Sequence, residues 1–278
     1  MKKIVVPVDF SNYSEYAIEV ASAFAKKYDA EIILLHMLGL SQAVLTKNEE
    51  QEVAEAVYYM KLAEKRFQTI ESRSFLEGLV VSEIVQNYKN FTDINEVAKE
   101  QGADLIVMGS HGSSGISEVF VGSNTEKVVR TSEIPVLVIK EQISNFTVDR
   151  VVFACDFKIE NILVYRKAMR FFQQLGAAVD LVYVNVPGTA FKSSTEMDQA
   201  ANEFLAIADF QAPIRPDEVV FLDGYSIEQA IFDYGKKVCA DALAIPTHGR
   251  KGLAHFFNGS LGEDIANHAK LPVFTFKM

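Results

Sequence analysis

The chain contains the same pattern twice. A constant offset of 147 carries Asp9 onto Asp156 and Ala30 onto Ala177. Further along, an offset of 137 carries Asp104 onto Asp241, Gly112 onto Gly249 and Pro135 onto Pro272. A duplication on this scale limits the fold more than any single motif, because each copy must bury a core of its own. The two offsets differ by ten, so about ten residues are missing from the middle of the second copy.

Within a copy, apolar runs of strand length alternate with amphipathic stretches of helical period. In the first copy the spacing predicts strands at 3–8, 31–37, 79–85, 104–108 and 136–139. Helices are expected at 12–28, 48–72, 92–101 and 123–130, the first capped by Asn12 or Ser14 and the third stopped by Gly102. In the second copy, residues 149–157 answer 1–10. Helices follow at 160–175, 193–210 and 226–238, strands at 178–186, 218–222 and 241–245, and residues 271–274 answer 134–137. The polar stretch 141–149 reads as a linker, giving domains at 1–142 and 149–278. Strands that are apolar throughout need cover on both faces. The fold class is therefore α/β: two tandem domains, each a five-stranded parallel sheet flanked by helices. Such sheets bind ligands at the carboxyl ends of their strands.

Those ends carry the chemistry. Strand four of the first copy runs into Gly109-Ser110-His111-Gly112, and after nine residues Gly122-Ser123-Asn124 opens a helix. Glycines let backbone N–H groups approach phosphate oxygens, and a helix start adds donors and the positive end of its dipole. Asp9, at the end of strand one, could accept from ribose hydroxyls or an adenine amine. Taken alone, a glycine-rich turn between strand and helix serves equally as a tight connection. The second copy keeps Asp156, Gly249, Gly259 and Ser260, but has Pro246 in place of Gly109 and Lys158 in place of Ser11.

The spacing Gly-x2-Gly-x9-Gly-Ser resembles the ATP-binding signature of the universal stress protein family. The stretches 6–11, 34–37 and 122–130 are similar to other parts of that family's pattern, and the resemblance runs over nearly the whole chain. It implies a tandem universal stress protein of Rossmann-like, HUP-type fold, with a regulatory or stress-response role. It implies that Asp9 and the backbone of Met37 hold adenosine and that Gly109 lies against the ribose. Gly112, Gly122, Ser123 and the backbone of Asn124 would face the phosphates of ATP, or of ADP or AMP in its place, with Mg2+ arriving on ATP. A weaker second site would use Asp156, Gly249, Gly259 and Ser260. The likeness also implies that strand five of each half, at 136–139 and 273–276, pairs the two halves, and it leaves a homodimer of chains open.

Other classes fare less well. A net charge of −10 without Lys/Arg clusters argues against nucleic acid and anionic membrane surfaces. No apolar run approaches the roughly 18 residues of a membrane span, and Met1-Lys2-Lys3 leads into too short an apolar run for a signal peptide. A cytoplasmic protein is expected, with Cys155 and Cys239 as reduced core thiols and His36 as a structural residue at the end of strand two. A nicotinamide enzyme would need glycines after strand one, where Asp9 stands instead. No Walker A sequence, acidic pair for a metal or general base near the phosphates is present. Enzyme activity stays open, at most as weak ATP hydrolysis, and a nucleotide-free interaction protein is the remaining reading.

Overall fold

The structure, a computed structural model, describes residues 1–38, 49–87, 93–110, 123–189, 191–208, 214–247 and 271–278. The described residues up to Phe146 pack as one unit and those from Thr147 onward as a second. The seam is sharp because Phe146 is buried against the ring of Phe24 in the first unit, 5.7 Å between centroids.

In the first unit the elements are β1 (Lys3–Pro7), α1 (Asn12–Tyr28), β2 (Glu31–Leu38), α2 (Glu49–Glu71), β3 (Val81–Asn87), α3 (Asp93–Glu100), β4 (Leu105–Gly109), α4 (Ser123–Thr131) and β5 (Val136–Ile139). Its strands lie in the order β3-β2-β1-β4-β5, every described pair parallel. The order reverses between β1 and β4, which places a crevice at their carboxyl ends. Ile4, Val5 and Val6 of β1 and Leu105, Ile106 and Val107 of β4 are fully buried, as a sheet covered on both faces requires.

The second unit contains β6 (Arg150–Ala154), α5 (Ile162–Leu175), β7 (Ala178–Asn185), α6 (Ser194–Ala208), β8 (Val220–Asp223), α7 (Ile227–Lys237), β9 (Ala242–Thr247) and β10 (Val273–Lys277). Its order β10-β9-β6-β7-β8 is that of the first unit read from the other edge, again parallel. Phe153, Phe172, Phe274 and Phe276 fill its core with edge-to-face and tilted contacts.

The duplication extends to backbone detail. Left-handed residues recur at matching places: Phe10 and Phe157 (φ 62° and 53°), Asp29 and Gly176 (52° and 69°), Gly102 and Cys239 (66° and 52°). The last two pairs end helices. In each case the following alanine (Ala30, Ala177, Ala103 or Ala240) donates its N–H to a carbonyl five residues back, which satisfies an orphan helix carbonyl. This corrects one expectation. Cys155 is a buried thiol pushed up to about 12 by burial, but Cys239 is exposed because it occupies the turn that ends α7.

Two further expectations change. Ser11, not Asn12 or Ser14, caps α1, its hydroxyl accepting from the Ser14 N–H at 3.3 Å. The first helix of the second unit, expected over 160–175, opens with a 3-10 turn at Ile159–Asn161 and is α-helical from Ile162, three residues later than α1 under the 147 offset.

One clamp closes both sheets at the opposite, amino edge. Asp104 Oδ2 accepts from the N–H groups of Lys2 and Lys3, the latter at 3.2 Å, while Asp241 Oδ2 accepts from those of Asp149 and Arg150, both at 2.8 Å. Each carboxylate satisfies the donors that open the central strand. Asp104→Ala and Asp241→Ala are each expected to lower unfolding free energy by about 1.5–3 kcal/mol, the range for hydrogen bonds to a charged group. Urea denaturation followed by circular dichroism checks this, and unchanged midpoints would show that water replaces the clamp without loss.

Candidate functional site

Three strand ends meet at the carboxyl edge of the first sheet. The register sets Val5 opposite Ile106 and Pro7 opposite Leu35, and continuing it brings Val8 level with Gly109 on one side and His36 on the other. β1 stops there while β2 runs on to Leu38. The chain turns away through Asp9 and Phe10, whose positive φ is costly for a bulky side chain, about 1–2 kcal/mol. Packing holds it: the Phe10 ring lies 4.6 Å from that of His36 and 5.2 Å from that of Phe67, with the Arg66 guanidinium 5.2 Å above it.

Asp9 is oriented by the residue that starts α1. Its Oδ1 accepts from the Ser11 N–H at 3.1 Å and from the Ser11 hydroxyl at 2.6 Å, and the same hydroxyl caps the helix. Met37 contributes backbone. Along β2 the N–H of Glu31 and the carbonyl of Leu35 bond toward β1, while the N–H of Ile32 bonds toward β3. By that alternation the N–H and carbonyl of Met37 are directed to the β1 side, past the point where β1 has ended.

Gly109 ends β4. A Cβ there would lie 2.8 Å from the backbone carbon and oxygen of Tyr13, so the first turn of α1 rests directly on this glycine. The need for glycine thus comes first from packing between helix and strand. The Gly109 carbonyl accepts from the buried Thr125 hydroxyl at 2.8 Å, which ties the first turn of α4 to the end of β4. Asn124 is exposed in that turn. Lys140 follows β5, level with Ser110, and burial pushes its ammonium down to about 8. The described parts of the site therefore bring together Asp9, the backbone of Met37, Gly109 and the start of α4 at Ser123 and Asn124. Gly112 and Gly122 lie outside the described residues, as does the side chain of Ser123. Sequence reasoning noted Ser11 only for its replacement by Lys158, without its bond to Asp9 or its cap, and gave Thr125 and Lys140 no role. Only Ser11 had a visible signal, a serine three residues before the Ser14 N–H it caps.

The second unit has the same frame with different contents. Phe157 packs against Tyr183 and Phe204, 5.8 and 5.5 Å between centroids, as Phe10 does against His36 and Phe67. Asp156 Oδ1 accepts from the Lys158 N–H at 3.2 Å and from the Asn161 side chain at 2.7 Å. The Lys158 ammonium stands 3.1 Å from Asp156 Oδ2. Lysine cannot accept a hydrogen bond as Ser11 does, and the helix loses its side-chain cap. Pro246 lies within β9, opposite Phe276, where Gly109 ends β4. Its ring would not fit under a helix turn as close as that of Tyr13, in keeping with the later start of α5. Gly249, Gly259 and Ser260 lie outside the described residues. Among the described residues, no cluster of three His, Cys, Asp or Glu side chains could hold a metal ion, and no helix is long and apolar enough to cross a membrane.

Comparison with known proteins adds to this geometry. The model of the universal stress protein family matches residues 1–140 and again 147–277. Universal stress protein MJ0577 of Methanocaldococcus jannaschii is 34% identical over 155 residues, covering 51% of this chain and 96% of that protein. Universal stress protein Slr1230 of Synechocystis sp. is 23% identical over an alignment that spans 100% of both chains. A crystal structure of a universal stress protein from Archaeoglobus fulgidus superposes with a TM-score of 0.63, covering 99% of this chain and 96% of that one. At 19% identity, that likeness speaks for the fold alone.

The Gly109–Tyr13 contact generates its own test. Gly109→Ala is expected to destabilise the protein by about 1–3 kcal/mol, the usual cost of overpacking. Chemical denaturation measures it, and a midpoint equal to wild type would mean that α1 can retreat without cost.

Proposed function

The chain belongs to the universal stress protein family, and from that footing we propose that its N-terminal half binds an adenine nucleotide, ATP first, at the carboxyl edge of its sheet. The observation that carries the reading is the convergence of Asp9, the Met37 backbone, Gly109 and the anchored start of α4 on one edge. A carboxylate oriented by Ser11 suits ribose hydroxyls, which are donors. Backbone N–H and carbonyl groups past the end of a neighbouring strand suit the donor and acceptor edge of adenine. A helix start with an exposed Asn124 suits phosphate. Gly112, Gly122 and Ser123 complete this reading through their spacing in the sequence. Mg2+ would arrive with the phosphates of ATP and bind chiefly to them, as is usual for this ion.

Binding, not turnover, is the function the site supports. The role is regulatory: occupancy changes the protein's state or its affinity for partners. The second half is the poorer candidate, because Lys158 already pairs with Asp156 and Pro246 offers no N–H.

Calorimetric titration of the full chain with ATP tests this. One site per chain is expected, with Asp9→Ala weakening it about tenfold through loss of charge-assisted bonds. The double variant Gly122→Val, Ser123→Ala should remove most of the signal. No heat and no thermal shift at millimolar ATP would overturn the reading in favour of an interaction protein. A site that survives the double variant would move the nucleotide to the second half.

A further inference from the structure

The two units share one frame, so their differences mark what each site needs. Beneath the left-handed phenylalanine, both place an aromatic ring from the second strand and a phenylalanine from the long helix: His36 and Phe67 in one unit, Tyr183 and Phe204 in the other. The second-strand ring is the one member of the trio that changes type. His36 also does something a tyrosine ring cannot do from that position. Its Nδ1 lies 2.7 Å from the carbonyl oxygen of Val8. A carbonyl only accepts, so the imidazole carries its proton on Nδ1 and donates.

That bond falls at an informative place. Val8 N–H still pairs with the carbonyl of Leu35, so the β1–β2 ladder extends one residue beyond β1. In a ladder that continued, the next bond would run from Met37 N–H to the Val8 carbonyl. The ladder stops short of that bond, its last paired residues Pro7 and Leu35, and the His36 side chain donates to the Val8 carbonyl, tying the turn that carries Asp9 to β2. In the second unit the ladder stops at the matching pair, Ala154 and Val182, and Cys155 N–H pairs with the Val182 carbonyl as Val8 does with that of Leu35. Tyr183, however, has only carbon atoms at its δ positions and offers no donor there.

We infer that His36 is the positioning residue of the adenine-nucleotide site, its Nδ1–H bond to the Val8 carbonyl fixing the turn that carries Asp9 beside the Met37 backbone, and that tyrosine at this position in the second unit disfavours nucleotide there. The inference rests on the nucleotide reading given above. It separates the bonding of His36 from its packing, since Tyr183 shows that another ring packs against the left-handed phenylalanine from the same position.

Three single variants of the full chain divide these roles. His36→Phe and His36→Tyr keep a ring against Phe10 and Phe67 and remove the donor. His36→Asn removes the ring but keeps an N–H donor bonded to Cγ, as Nδ1 is. Calorimetry with ATP should show about tenfold weaker binding for the Phe and Tyr variants, from a carbonyl left without its donor. The Asn variant should stay within about threefold of wild type although its melting temperature falls, since lost packing and a kept bond act on different readouts. Wild-type affinity in the Phe variant, or affinity that follows melting temperature across all three, would overturn the inference. A long-range proton–nitrogen spectrum of the nucleotide-free protein gives a second readout, expected to show the Nδ1–H tautomer. The Nε2–H tautomer would overturn the inference without any ligand. If the wild type binds no ATP while the Nδ1–H tautomer is seen, the nucleotide reading fails, and with it the effect assigned to Tyr183, while the His36 anchor stands.

Discussion

The candidate site depends on β1 ending before β2 does. In a parallel sheet neighbouring strands satisfy each other's backbone, and a strand end exposed to a ligand is one whose neighbour has already left. Here the departure is abrupt. Asp9 folds back on Ser11, Phe10 takes a left-handed conformation, and the helix begins at once with Ser11 as its cap. A gradual exit would have carried the ladder on past Val8 N–H and engaged the Met37 backbone. The conformational cost at Phe10 is offset by burying its ring on Phe67 and His36, so the same side chains hold the turn and shape the crevice.

The duplication shows which parts of this arrangement belong to the fold and which to the site. The aspartate clamp at the amino edge, the left-handed phenylalanine, the aromatic trio and the helix ends at Ala30, Ala103, Ala177 and Ala240 occur in both copies. These serve folding, and they persist whatever the crevice holds. At the carboxyl edge the copies differ at residues of the candidate site: Ser11 against Lys158, His36 against Tyr183, Gly109 against Pro246. Such differences on a scaffold kept in both copies are expected when function lives in a site placed on a fold.

Much of the scaffold was legible in the sequence because its signals are local or periodic. Apolar strands, helix stops and the two offsets require no knowledge of distant contacts, and Val136–Ile139 is placed to the residue. The rest is decided by tertiary contact. The sequence places Gly109 in a glycine-rich nucleotide loop and gives no sign that the atoms nearest its missing Cβ belong to Tyr13 in α1. Cys239 reads as a core thiol among apolar neighbours, yet the end of α7 turns it outward. His36 reads as structural, which is half of its part: the packing was foreseeable, whereas the bond to Val8, 28 positions away in the chain, was not. Thr125 and Lys140 carry no signal until α4 and β5 are set beside β4.

Of the three differences at the carboxyl edge, the most visible is the weakest. The Lys158–Asp156 pair is open to water, its side chains 61% and 39% exposed. Exposed pairs of this kind contribute about 0.2–1 kcal/mol, at most a fivefold effect on a competing ligand. A ribose hydroxyl bound to Asp156 could displace the ammonium into solvent at little cost. Pro246 and Tyr183 act on the backbone, which cannot step aside: one removes an N–H and, beneath the first helix, the room that Gly109 provides, and the other removes the donor that His36 directs to the Val8 carbonyl. If the second copy fails as a nucleotide site, it fails because the turn after β6 lacks the histidine anchor and β9 carries Pro246, and the lysine beside Asp156 is secondary.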